Sequence, residues 1–138
     1  MQRTTVSWRE DLAVSHAAID RDHKEIINRA GTLHTAVLAL QERDVLLPLI
    51  ADLLAVTEAH FAEEERLMLA NSYPEYESHR NEHQRLLKQL RAVQQDVGSN
   101  AIRVGGLMAL FLESWTEQHI LSTDRALAAF LHARDMPA

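Results

Sequence analysis

The chain has no cysteine. That absence excludes a disulfide framework, a zinc finger, a thiolate nucleophile and an iron–sulfur cluster. Glycine and proline are scarce, 4 and 3 in 138 residues, and several stand where breaks would fall. The scarcity favours long helices over a strand-and-turn fold. Basic charge is short as well: 14 Lys and Arg face 20 Asp and Glu, a formal net charge of −6. With no basic excess to displace counterions from phosphates, a nucleic-acid partner is not expected. No apolar run approaches the roughly 18–20 residues that cross a bilayer. The start, Met1-Gln2-Arg3-Thr4-Thr5, carries no apolar signal region, so a cytoplasmic protein without a membrane partner is expected. At 46% hydrophobic and 25% charged, the composition is that of a globular domain, and the length is room for one.

What the chain does have is histidine, 8 in all, much of it in rhythm with the apolar residues. Ile19, His23, Ile26, Ala30, Leu33, Val37 and Leu40 form a 4-3-4-3 seam. Leu46, Ile50, Leu53, Thr57, His60, Glu64 and Leu67 form a second. Asp44 is the expected N-cap of that helix, Pro48 is tolerable only in its first turn, and Asn71 is the expected left-handed residue at its end. After the break at Ser72-Tyr73-Pro74, a third seam runs Tyr76, His79, His83, Leu86, Leu90, Val93, Val97. Gly98-Ser99-Asn100 ends it, and a fourth reads Gly105, Met108, Leu112, Trp115, His119, with Leu127 and Phe130 beyond.

The expected fold is all-α: an antiparallel up-down-up-down four-helix bundle in a single domain, 1–138. Its helices are expected at about 19–41, 45–70, 74–97 and 101–132. Residues 1–18 form an N-terminal arm that packs Trp8, Leu12 and Val14 across one end. The Gly105-Gly106 pair interrupts the fourth pattern. Either a neighbouring helix approaches closely there, or the ordered helix begins near Leu107.

Bundle interiors are apolar, yet these seams turn His23, His60, Glu64, His79, His83 and His119 inward. Burying such groups unpaired costs several kcal/mol apiece, so something must satisfy them together. His60 with Glu64, and His79 with His83, stand at i, i+4, the spacing that puts two ligands on one helical face. Either pair alone is a common surface coincidence. The joint pattern, with five histidines in phase on four helices, points to metal. In an antiparallel bundle His60 lies before the turn at 71–73 by about as much as His79 and His83 lie after it, so all three share one depth. Asp124 follows His119 by five residues, about 140° round a straight helix, so it reaches the centre sideways or through a local over-winding. Imidazole and carboxylate without sulfur suit iron, manganese or zinc. Seven side chains are too many for one ion but fit two, with both carboxylates and one solvent oxygen bridging. The histidines then divide three and two, leaving one ion an open position. Among apolar residues, that describes a receptor for a small gas.

At these residues the chain resembles the hemerythrin family, over nearly its whole length. The resemblance is carried by Trp8 with Ile19-Asp20-x-x-His23, and by His60-Phe61-x-x-Glu64-Glu65 with Met68. Tyr73-Pro74 with His79-x-x-x-His83, and Trp115-x-x-x-His119-Ile120-x-x-x-Asp124, complete it. It implies a non-haem di-iron centre with a bridging oxo or hydroxo group, Glu64 and Asp124 bridging. It implies His79, His83 and His119 on one iron, and His23 and His60 on the iron that takes dioxygen reversibly as a hydroperoxide. By the same matching Ile26, Phe61, Trp115 and Ile120 line the gas pocket. One departure is Thr116, where the family commonly has leucine. Facing the pocket, its hydroxyl donates to bound hydroperoxide or holds a water and speeds autoxidation; facing away, it bonds its own helix.

Three histidines, His16, His34 and His132, have no assigned role, and His34 is expected at a solvated edge. Of the Glu63-Glu64-Glu65 run only Glu64 falls on the seam; its neighbours meet water or hydrogen-bond ligand imidazoles from outside. The expected function is dioxygen storage or delivery by a monomer without enzymatic activity. An oxygen, redox or nitric-oxide sensor acting through a partner is the alternative. A di-iron peroxidase or nitric-oxide scavenger comes third, because oxygen-activating di-iron bundles are richer in carboxylates.

Overall fold

The computed structural model describes residues 12–14, 16–98 and 123–135. Four helices occur there and no strand: α1 (Ala17–Leu38), α2 (Arg43–Ala70), α3 (Tyr76–Gly98) and α4 (Arg125–Asp135). α2 packs between α1 and α3. Tyr73 packs at a tilt against Phe130 of α4, ring centroids 4.8 Å apart. The fold is the antiparallel helical bundle that the four seams predict. The expected glycine break at 105–106 and the arm's Trp8 lie outside the described residues.

α1 begins two residues earlier than its seam. His16 caps it, Nδ1 accepting from the Ile19 amide at 3.3 Å. Asp20 in the first turn accepts from the Val14 amide at 2.8 Å, and Arg125 donates to the Ala13 carbonyl. These two bonds draw residues 12–14 onto the bundle, where Leu12 and Val14 are buried.

Both long turns correct the expected caps. α1 ends at Leu38, and the chain reverses through a Schellman motif: Leu40 donates to Val37 and Gln41 to Ala36. Leu40 therefore leaves the seam, adopting φ 58° with 87% of its surface exposed. α2 closes in the same way, with Ser72 donating to Leu69 and Tyr73 to Met68. The left-handed residue is Ser72 (φ 53°) and not Asn71. Asn71 stays near helical because its side-chain amide donates back to the Leu67 carbonyl at 2.8 Å.

At the other end of α2 the N-cap is Glu42, two residues before Asp44. Pro48 consequently falls in the second turn. Lacking an N–H, it leaves the Asp44 carbonyl without its helical donor, on an exposed face where water can serve. Asp44 itself sits in the first turn, where its charge complements the helix dipole.

By length and mean hydropathy, 1.6 over 18 residues, α2 is apolar enough to cross a membrane, which corrects the expectation that no such stretch exists. Leu46, Ile50, Leu53 and Phe61 supply part of that hydropathy inside the core. The exposed alanines Ala51, Ala55, Ala59 and Ala62 supply more on the outer face.

Candidate metal centre

Near one end of the bundle the core turns polar. His23, His60, Glu64, His79, His83 and Asp124 are at most 4% exposed, and each of the helices α1, α2 and α3 contributes from its inner face. Asp124 comes from a π-helical turn at Thr123–Asp124, just ahead of α4. The winding is thus the reverse of the expected over-winding: an i→i+5 turn is under-wound.

Glu64 lies at the middle of the cluster. Its Oε2 faces His60 Nε2 at 2.8 Å and His23 Nε2 at 3.7 Å. Its Oε1 faces His83 Nε2 at 3.0 Å and His79 Nε2 at 3.2 Å. Asp124 divides likewise, Oδ2 standing 2.7 Å from His23 Nε2 and Oδ1 3.1 Å from His79 Nε2. Two groups of donor atoms result, His23-His60-Glu64-Asp124 and Glu64-His79-His83-Asp124, each with all its atoms within 4.8 Å of one another. Both carboxylates belong to both groups.

Comparison with known proteins agrees with this arrangement. A family model described as the hemerythrin HHE cation binding domain matches residues 14–131. The chain belongs to the hemerythrin family. A bacteriohemerythrin of Ralstonia nicotianae is 33% identical over 129 residues, 94% of this chain and 90% of that protein. A bacteriohemerythrin of Stenotrophomonas maltophilia is 28% identical, covering 88% of this chain and 78% of that one. A myohemerythrin of Theromyzon tessulatum is 26% identical, covering 85% of this chain and 86% of that one. Hemerythrins are metal-binding, oxygen-binding proteins, and the family implies non-haem iron.

Whether the residues of this chain fit such a metal is a matter of their donor atoms. His23 Nε2, His60 Nε2 and Glu64 Oε2 are buried and form no hydrogen bond, close as they are to oppositely charged partners. Neighbouring ligands of an octahedral ion with bonds of about 2.1 Å stand about 3 Å apart, close to the spacings just given. The donors are nitrogen and oxygen only. They fit a first-row divalent metal such as iron.

Two carboxylates outside the cluster hold the imidazoles. His60 Nδ1 lies 3.0 Å from Asp22 Oδ2, and His83 Nδ1 lies 2.9 Å from Glu65 Oε2. A carboxylate on Nδ1 fixes the proton there and frees Nε2 for a metal. Phe61 stacks flat on His83, ring centroids 3.8 Å apart. Burial alone lowers the pKa of His23 and His79, but the carboxylates of Asp124 and Glu64 outweigh it and raise both to about 9. His60 is raised against burial chiefly by Glu64. Burial pushes Glu64 the other way, yet its surrounding imidazoles hold it well below the usual carboxylate range. Without metal the cluster is a set of imidazolium–carboxylate pairs, which lowers the cost of keeping these groups buried.

Six of the seven expected ligands therefore meet at one place. The seventh, His119, lies outside the described residues, as do Trp115, Thr116 and Ile120. Ile26 and Phe61 are buried, 5% and 4% exposed. Glu65 holds an imidazole from outside as expected, while Glu63 pairs with Arg66 on the surface. Asp22 went unpredicted, although its place beside His23 on α1 puts it at the edge of the inner face toward α2. The expectation for His34 is overturned: it is 3% exposed, because the seam carries on through Ala30 and turns it inward.

Proposed function

We propose that His23, His60, Glu64, His79, His83 and Asp124, with His119, hold two iron ions for the reversible binding of dioxygen. The observation that carries this is the division of Glu64 and Asp124, each offering one oxygen to each group of histidines. That is the disposition of two bridging carboxylates. His79, His83 and His119 would hold one ion and His23 and His60 the other, and the side with fewer histidines would be left to the gas. An oxo or hydroxo bridge would complete such a pair. Bound iron supplies the electrons for reversible dioxygen binding.

The chain's own residues do the rest. Asp22 and Glu65 orient the His60 and His83 rings. Ile26 and Phe61, with Trp115 and Ile120, keep water from the bound gas, since water and protons would displace it and leave the iron oxidised. The proposed role is storage or delivery of dioxygen by a cytoplasmic monomer that catalyses no reaction. Iron analysis with oxygen uptake tests it: two irons per chain and one dioxygen per pair, released under vacuum. One iron per chain, or uptake that does not reverse, would overturn it.

A further inference from the structure

Thr57 is fully buried, 0% exposed, and its hydroxyl has no hydrogen-bond partner among the described residues. It does not return to the carbonyl one turn back, the usual resort of a helical threonine. The core positions before it on this seam are leucine and isoleucine, Leu46, Ile50 and Leu53, so an idle hydroxyl there lowers stability.

The position is set by register. The His23 and His60 rings meet edge to face with centroids 4.9 Å apart, across antiparallel helices. Three residues further into the bundle along each helix, about 4.5 Å, Ile26 on α1 comes opposite Thr57 on α2. From the other side, Glu64 meets His83, and two helical turns away from each, Thr57 comes level with Leu90, which is also 0% exposed. The hydroxyl thus lies in an apolar layer directly beneath the His23–His60 half of the centre, level with Ile26 of the proposed gas pocket.

We propose that Thr57 is the hydrogen-bond donor of that pocket, serving a small oxygen or anionic ligand held on the His23–His60 side. This rests on the di-iron reading above. The hydroxyl is kept without a protein partner so that it can turn to the ligand, and the apolar layer around it keeps water from competing.

The test uses the full chain loaded with iron and oxidised, titrated with sodium azide and followed by absorption. Thr57→Val keeps the shape and removes the donor, and it weakens azide about tenfold, the size of one hydrogen bond to an anion. Thr57→Ser keeps the donor and stays within twofold of wild type, and Thr57→Ala repeats the loss without a branched side chain. In the metal-free protein the hydroxyl has nothing to serve, so Thr57→Val raises the urea midpoint. Azide affinity of the valine variant within twofold of wild type overturns the proposal, and so does a lowered urea midpoint. A wild-type protein that fails to hold two irons fails at the di-iron reading itself, which separates the two.

Discussion

Asp22 gives the sharpest mutational test of how the centre is built. Its carboxylate accepts from His60 Nδ1 at 3.0 Å and is 34% exposed. Across the imidazole ring it stands about 7 Å from an ion on Nε2. Its attraction for a doubly charged ion at that distance is about 5 kcal/mol at an effective dielectric of 20 and about 1 kcal/mol in water. A carboxylate one-third exposed falls towards the lower figure, at roughly 1–3 kcal/mol. Asp22→Asn keeps an acceptor for Nδ1–H but removes the charge, so the affected ion should bind about 10–100-fold more weakly, the range usual for such outer contacts. Because Asp22 serves only the His23–His60 half, one of the two irons should weaken and the other should not. Chelator competition followed by native mass spectrometry reads this directly, with a one-iron species accumulating between the two-iron and metal-free forms. Equal loss of both irons, or affinity within twofold of wild type, would refute the reasoning.

Other perturbations follow from the same geometry. The metal-free protein should be most stable between about pH 4.5 and 6.5. His23 and His79, raised from 6.5 to about 9, contribute fully below 6.5 and lose their contribution as pH climbs to 9. Glu64, lowered from 4.5, contributes above that value and loses it as pH falls. Urea midpoints across pH check both limbs, and a midpoint rising steadily from pH 6.5 to 9 would contradict the first. Leu40→Gly should raise stability by about 1 kcal/mol, because it relieves a left-handed leucine that packs on nothing, 87% exposed; a drop in thermal midpoint would show that Leu40 does hold the turn. Thr116→Leu should slow autoxidation of the oxygenated protein if Thr116 faces the pocket, and equal decay rates would place its hydroxyl elsewhere.

The seams made most of the bundle legible, since burying one face of a long helix admits few other patterns. His23, His60, Glu64, His79 and His83 stood out because polar groups in phase with Leu and Ile are costly unless something unites them. Asp124 was found by type but not by geometry, because sequence does not announce a π turn. The caps misled. Asp44 and Asn71 are better formers of their expected roles than Glu42 and Ser72, but α2 starts one residue before Asp44, and Asn71 bonds back to the Leu67 carbonyl, which leaves the left-handed place to Ser72. His34 follows Ala30 by one helical turn, so its phase on α1 buries it where a histidine without a role is expected at the surface. Asp22 and Glu65 reach their histidines from the helix edges, and edge contacts depend on how neighbouring helices pack.

The central claim is that Glu64 and Asp124 bridge two irons whose open position binds dioxygen reversibly. The most direct measurement is an optical spectrum of protein reconstituted anaerobically with iron(II), recorded before air, in air and after its removal. The account predicts a charge-transfer band that appears with air and fades under vacuum, over repeated cycles. A band that forms once and decays to a stable oxidised spectrum, or a colourless protein that does not retain two irons, would contradict it.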